Sequence, residues 1–339
     1  MTRGKKILVI YTVFSALCLI GALLCFFTIG KISDSVPSQH ASERWEKKDM
    51  RCTQISCFLS SETGLSPDGL YYIRSQINSS VNESGALSAS GARAWYDAYS
   101  AETDAYVCAK DNDTGVSARA FLTGGDYFMI HQMKFMSGYF YSDGSVMDDG
   151  VVISKALAWK LFGGYELEGM MVSVDGIRCQ VVGVTEAPLG SAEKEEYGEE
   201  NSIYIPYSLW QRNGYSVPIT CYEVVLPNPV KNFGVDAVKN ALGFSEGEAE
   251  YAENRGRYGF SRNLSTLSSF DTLVMRENRI FFPYWENAAR AAQSRTALIT
   301  LLALCLLVFP TADIIVFAVI LYGKRHVLAN KIKRRKYKF

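Results

Sequence analysis

Apolar residues run without a charge from Ile7 to Ile29, 23 positions, and again from Ala297 to Tyr322, 26 positions interrupted only by Asp313. A helix of about 20 apolar residues crosses the hydrocarbon core of a bilayer. In lipid only a helix satisfies its own backbone over that length. The two runs therefore predict transmembrane helices at 7–29 and 297–322. Between them, over 30–296, the pattern shortens and alternates. "RCTQISCFLS" places Ile55, Cys57 and Leu59 on one side of a strand. Ser66 then caps a helix with Pro67 at its first position and Leu70, Ile73 and Ile77 at helical spacing. "ARAWYDAYS" and "DAYVCAK" read as two strands joined by a short turn.

The clearest stretch runs from Asp148 to Val184. "VVIS" is a short buried strand, and Ser154 caps a helix over Lys155–Phe162 whose packed face is drawn from Ala156, Leu157, Trp159, Lys160 and Leu161. Gly163-Gly164 ends it, since glycine takes the left-handed conformation at a helix terminus, and positive φ is expected at Gly164. "MMVSV" and "IRCQVVGV" form a hairpin about Asp175-Gly176, a pair suited to positive φ at both central positions. Folding accounts for each of these residues, so the stretch reads as scaffold. The alternation of short helices with more numerous strands places the region in the α+β class.

Charge orients the chain. The net charge is zero, but residues 1–6 carry three basic side chains and residues 323–339 carry eight, while the middle holds 24 basic against 34 acidic residues. Basic segments beside spans stay in the cytoplasm. Both termini are thus expected inside the cell membrane and 30–296 outside it, a length suited to two subdomains. The first apolar run exceeds the core of a signal peptide, and no small-residue cleavage site follows it, so it reads as an uncleaved anchor; a cleaved signal peptide is the alternative. Lys31–Asp49 reads as a polar juxtamembrane connector. Five of the eight cysteines lie in the middle region with no C-x-x-C spacing, which favours buried free thiols over a zinc site or a disulfide framework.

A combination of motifs carries a family resemblance. A strand is followed by a helix ending "LFGG", Gly169, "VSVDG" and "CQVVGV"; "DYFMIHQMKFMSGYFYS" precedes it and "NSIYIPYSLWQR" follows, together spanning Asp126 to Arg212. This run resembles the periplasmic core domain of MacB/FtsX-type bacterial ABC transporter permeases. The resemblance implies a porter-like α/β lobe with a β-rich inserted lobe, held outside the membrane between the first two spans. It implies work with a separate cytoplasmic ATPase. Such permeases have four spans where two are expected here, so the resemblance is to the N-terminal half and implies a further permease chain or a homodimer.

The residues that usually perform chemistry are missing. No lysine precedes Ser or Thr as a phosphate-binding loop requires, no His precedes Glu as in a helical zinc site, and no G-x-S-x-G elbow occurs. His40 falls in the polar connector, and His131 among Ile130, Met133 and Phe135 reads as packed or surface rather than as a base. Carboxylate pairs such as Asp148-Asp149 are expected by chance in so acidic a region, and the acidic run Glu193–Glu200 reads as a solvated loop, with cation binding the lesser alternative. No enzyme, cofactor or metal site is expected.

Two features remain for partners. Asp313 lies mid-span three residues after Pro310, where a charge costs about 2.5–3.5 kcal/mol on insertion scales. It is either a polar contact to another helix or, with Thr311, a local cap of a helix broken at Pro310. The tail residues Lys331, Lys333, Arg334, Arg335 and Lys336 suit anionic lipid and an ATPase surface, the two not exclusive, rather than nucleic acid. The expectation is a non-catalytic ABC transporter subunit. A membrane-anchored sensing or binding protein without a transporter is the alternative, and a surface hydrolase is disfavoured by the missing motifs.

Overall fold

The computed structural model describes residues 3–46, 50–85, 93–109, 114–142, 149–245, 247–269 and 280–336, with side chains described throughout these except at 3–8, 324 and 326–336. The chain begins with α1 (Arg3–Asp34), a 3-10 turn (Pro37–His40) and α2 (Ala41–Trp45). There follow β1 (Cys52–Leu59), α3 (Pro67–Glu83), β2 (Tyr96–Ala109), β3 (Val116–Gly125), α4 (Tyr127–Ile130), β4 (Met133–Gly138), β5 (Gly150–Ser154) and α5 (Lys155–Phe162). Then come β6 (Met171–Val174), β7 (Ile177–Pro188), α6 (Ser191–Tyr197), β8 (Ser202–Pro206), α7 (Tyr207–Arg212), β9 (Cys221–Pro227), α8 (Phe233–Leu242), β10 (Ala249–Glu253), α9 (Phe260–Ser268) and α10 (Tyr284–Lys336). These form two compact units: Met1–Ser33 with Tyr258–Asp271 and Gln293–Phe339, and Asp34–Arg257 with Thr272–Ala292.

The larger unit is built on one ten-stranded sheet in the order β10-β1-β9-β2-β3-β8-β5-β7-β4, with β6 pairing to β2 and β7. Its first four strands are all antiparallel neighbours. In chain order they read strand–helix–strand twice, β1-α3-β2 and β9-α8-β10, which is the split βαβ, ferredoxin-like arrangement. Its two crossover helices, α3 and α8, pack on each other. Everything from β3 to α7 is inserted between β2 and β9, and most of its strands extend the sheet. An α/β lobe with a strand-rich insertion is thus present, joined through a shared sheet.

The sheet is buried on both faces. On one, Ile55, Cys57 and Leu59 of β1 join Leu70, Ile73 and Ile77 of α3 and Val238 of α8; on the other, Cys52 and Phe58 join Tyr127, Tyr204, Tyr284 and Trp285. The expected alternation in β1 is real, but the intervening positions face a second core rather than water. The local signals at helix ends hold closely. Ser66 Oγ accepts from the Gly69 N–H at 3.3 Å, and Ser154 Oγ from the Leu157 N–H at 3.3 Å. Asp175 and Gly176 turn the hairpin with φ of 47° and 85°.

Four expectations are corrected. The polar stretch after the first apolar run is no exposed connector: Val36, Ser38, Gln39, Ala41 and Ser42 are buried, and Glu193 and Gln54 bond the Ser38 and Ala41 backbone groups inside the domain. The two strands around Ser100 are one, since β2 pairs continuously with β3 from Ala98↔Gly125 to Val107↔Val116 and nothing interrupts the ladder for a turn. In α5 the buried positions are Leu157 and Ala158, while Trp159 and Lys160 are exposed and Leu161 is half-buried. The left-handed residue that closes it is Gly163, φ 68°, and not Gly164.

Among the described residues two helical stretches are long and apolar enough to cross a membrane, Val9–Asp34 and Tyr284–Gly323, and the smaller unit holds the first up to Ser33 and the second from Gln293 on. In it, the Phe14 and Phe309 rings meet edge to face at 5.0 Å, and a Cβ at Gly21 would lie 3.1 Å from Leu306 Cδ1. Ser15, Cys18, Ala22, Ala297, Thr300 and Ala303 are buried, the small residues that allow close helix approach where no hydrophobic drive exists.

Candidate functional site

The intramembrane residues fall on one unbroken helix. α10 continues through Pro310, and the Thr311 hydroxyl donates to the carbonyls of Leu307 and Val308 at 2.8 and 2.9 Å. Thr311 therefore bonds backward into the turn rather than capping a new helix. Asp313 is half-buried and, among the described residues, has no hydrogen-bond or ion-pair partner. The side chains of Lys331, Lys333, Arg334, Arg335 and Lys336 lie outside the described residues, although α10 reaches Lys336.

The most developed polar site was missed by the sequence reading. It lies in the larger unit, where α10 starts. Arg257 donates from both terminal nitrogens to the two oxygens of Glu286, each at 2.8 Å, and Glu286 is fully buried. Arg290, one turn on, donates from Nε to Glu286 Oε1 at 2.7 Å, pairs with Glu250 of β10, and lies 3.7 Å from the centroid of the Phe282 ring. Two parallel bonds from one guanidinium to one carboxylate are the strongest geometry such a pair has. An acid in the first turn also meets the positive end of the helix dipole.

The network continues into the sheet. Arg257 reaches Asn254 Oδ1 at 3.2 Å, Asn254 Nδ2 donates to Ser56 Oγ at 2.8 Å, and Ser56 Oγ donates to Glu223 Oε1 at 2.6 Å. The second oxygen of Glu223 meets His131 Nε2. His131 is packed against the rings of Trp285, at 4.1 Å, and Tyr127, at 4.6 Å. Ser, Glu and His thus lie together, but in the order Ser–Glu–His. A nucleophilic triad needs the imidazole between the hydroxyl and the carboxylate. All three are buried, so the arrangement is a structural relay and His131 is packed, as the sequence suggests.

A second set of bonds holds the segment that follows α1. The Ser38 N–H donates to Glu193 Oε1 at 2.8 Å. Gln54 accepts from the Ala41 N–H at 3.0 Å and donates to the Ser38 carbonyl at 2.8 Å. The Ala192 N–H reaches the Ser35 carbonyl at 3.2 Å. Glu193 was expected in a solvated acidic run; it sits instead on α6 and is fully buried, because the run folds as a helix whose inward position it occupies. Burial holds its carboxyl above the usual range, opposed by the Ser38 hydrogen bond and by the charges of His131 and Arg44. Among the described residues no cluster of three or more His, Cys, Asp or Glu side chains is arranged to hold a metal.

Residues 20–237 match the MacB-like periplasmic core domain. The chain belongs to that family. Three solved structures are similar to the MacB-like chain. The extracellular domain of YknZ, a noncanonic ABC-type transporter from Gram-positive bacteria, is 15% identical, covers 59% of this chain and 99% of its own, and gives a TM-score of 0.40. The periplasmic region of MacB from Actinobacillus actinomycetemcomitans is 14% identical over 66% of this chain and 94% of its own, with a TM-score of 0.41. A permease domain from Porphyromonas gingivalis is 13% identical over 61% and 91%, with a TM-score of 0.34. No curated protein matches the chain. The family match ends at residue 237, so it includes His131, Glu193 and Glu223 but stops short of Arg257, Glu286 and Arg290. The network at the start of α10 therefore joins residues inside the matched region, Ser56, His131 and Glu223, to residues beyond it.

Proposed function

We propose that this chain is a non-catalytic, permease-like subunit of an ABC transporter, whose extracytoplasmic domain moves with its two membrane spans as a separate cytoplasmic ATPase turns over. The observation that carries the reading is the way α10 begins. Its first residues, Tyr284, Trp285 and Glu286, are buried in the domain core, and the same helix continues into the apolar run. A helix fixed by a two-pronged buried ion pair transmits tilt or rotation, where a flexible linker would dissipate it. The segment after α1 is held in the larger unit by its own buried bonds.

The basic ends place both termini in the cytoplasm under the positive-inside rule. Lys331, Lys333, Arg334, Arg335 and Lys336 then face anionic lipid and the ATPase. Asp313, beside Pro310, is the contact offered to another permease chain or a second copy, since a mid-span carboxylate is stabilised by facing protein or water. Purification of the full chain in mild detergent, with identification of bound chains, tests this. Recovery of an ABC ATPase supports the reading. A folded, monodisperse chain recovered without any ATPase, in cells that express ABC ATPases, would replace it with a membrane-anchored sensing or binding role.

A further inference from the structure

Helix α9 packs the wrong way round for a helix of a water-soluble domain. Phe260, Leu264 and Leu267 recur at the spacing that makes one apolar stripe. Such a stripe ordinarily faces the core. Here Phe260 is 51% and Leu264 39% exposed, Leu267 is half-buried, and the buried residues of the helix are the polar Asn263 and Thr266.

Hydrogen bonds to α10 explain the polar side. Asn263 Nδ2 donates to Thr300 Oγ1 at 2.9 Å, and Thr296 Oγ1 donates to Asn263 Oδ1 at 3.1 Å. Gln293 Nε2 donates to Thr266 Oγ1 at 2.9 Å. Asn263 Nδ2 also reaches the Tyr258 carbonyl at 3.2 Å, which closes the amide's bonding inside the helix pair. Gln293, Thr296 and Thr300 straddle Ala297, where the charge-free run of α10 begins. The docking site of α9 therefore coincides with the level at which α10 changes from polar to apolar. At that level and just beyond, α10 itself exposes Leu298, Leu301 and Leu302.

We infer that α9 is an interfacial helix, lying against the outer boundary of the membrane with Phe260, Leu264 and Leu267 in the lipid headgroup and acyl region. The occupant of its exposed stripe is a lipid surface, because the helix is bonded to α10 at the level where the apolar run of that span begins. Helices with one apolar stripe and a polar remainder bind at this depth. The polar groups that would be stranded there are satisfied by α10, so lipid contact leaves no buried bond unmade. The anchor would fix the depth of the span at its extracytoplasmic end, independently of any ATPase.

The test places p-benzoylphenylalanine, a photo-crosslinking residue, singly at positions 260, 264, 261 and 265 of the full chain. Each variant is reconstituted in phosphatidylcholine–phosphatidylglycerol vesicles and irradiated, and adducts are read by mass spectrometry. Lipid adducts at 260 and 264, several-fold above those at the polar positions 261 and 265, are expected. Adducts at 260 and 264 to a second polypeptide would show a protein interface instead and overturn the inference. Equal, low lipid adducts at all four positions would show the stripe in water and overturn it equally. As a readout that does not depend on the crosslinker, Leu264→Gln in the same vesicles should lower protection of the α9 backbone amides from hydrogen exchange. Unchanged protection would also count against the lipid contact.

Discussion

The two connections between the membrane spans and the larger unit solve one problem in different chemistry. After α1, the chain is held by backbone and amide hydrogen bonds, by the Arg44 guanidinium on the carbonyls of Pro37, Met129 and Ile130, and by one buried carboxylate, Glu193, that accepts a backbone N–H and has no guanidinium bonded to it. At the start of α10, every charge is matched: Glu286 takes Arg257 and Arg290, and Arg290 takes Glu250. A connection of the first kind responds to pH and to small steric changes. A connection of the second kind is tight while intact and fails abruptly when one member is lost.

The largest effect is expected at the matched charges. Arg257→Met leaves Glu286 buried without its two-pronged partner, and such a loss costs about 3–5 kcal/mol. The midpoint of chemical unfolding of the chain in detergent should fall accordingly, with partial recovery in Arg257→Met combined with Glu286→Leu, which removes the stranded charge. A fall of under ~1 kcal/mol would mean that the pair is spectator chemistry, since that is the range of exposed salt bridges.

Next comes a steric change after α1. A Cβ at Gly190 would lie 2.4 Å from both the Ser35 carbonyl oxygen and Pro37 Cδ, and neither can swing aside. Gly190 has φ −73°, so the backbone itself would accept alanine. Gly190→Ala should therefore cost about 1–3 kcal/mol through overpacking alone, and trypsin should cut faster at Arg44. An unchanged digestion rate would show that this connection is loose.

A smaller, pH-dependent effect is expected at Glu193. Its folded-state pKa is raised above the ordinary value of 4.5 by burial. The stabilisation from binding a proton is present at low pH and is lost as pH rises through the folded-state value. Glu193→Gln keeps an acceptor for the Ser38 N–H and removes that loss. The variant should gain on the native chain by about 1.4 kcal/mol for each pH unit between the two pKa values, and the gain should be flat above the higher one. Unfolding midpoints at pH 4, 6 and 8, all about the same for both proteins, would place Glu193 in a watery setting. The Arg257 connection should slope the other way and only in acid: although burial opposes it, Arg257 and Arg290 hold Glu286 below the ordinary value of 4.5, so its contribution is present above that value and lost as pH falls through the lowered one.

The smallest effect lies beyond the second connection, at Asp313. Asp313→Leu should weaken recovery of partner chains by about 0.6–2 kcal/mol, the scale of interhelical polar bonds in membranes, with Asp313→Asn milder. Equal recovery of partners with all three side chains would remove Asp313 as a contact.

How far the sequence foretold these parts depends on how local their causes are. The Ser66 and Ser154 caps, the Gly163 terminus and the Asp175-Gly176 turn were legible because each is decided within four or five residues of chain. The two long apolar helices were legible because length and apolarity suffice. The single long strand β2 was misread because alternation alone does not say whether a ladder continues; its partner, β3, decides that. Glu193 was misread as solvated because an acidic run gives no sign of which carboxylate points inward. The Arg257–Glu286 and His131–Glu223 contacts, 29 and 92 residues apart, leave no local signal. Only the three-dimensional path of the sheet brings them together.

That path also governs how the protein must be made. β1 lies between β9 and β10, with Ile55 opposite both Val224 and Glu253. Neither edge of this central strand can be paired until almost all of the domain has been synthesised. At 5–20 residues per second, roughly 200 intervening residues take about 10–40 s to emerge. For that interval an early, apolar strand waits with both edges open beside the exit of the secretion machinery. A strand in that state is a template for wrong partners. The pairing of β1 is therefore completed only when its last partner, β10, has been made.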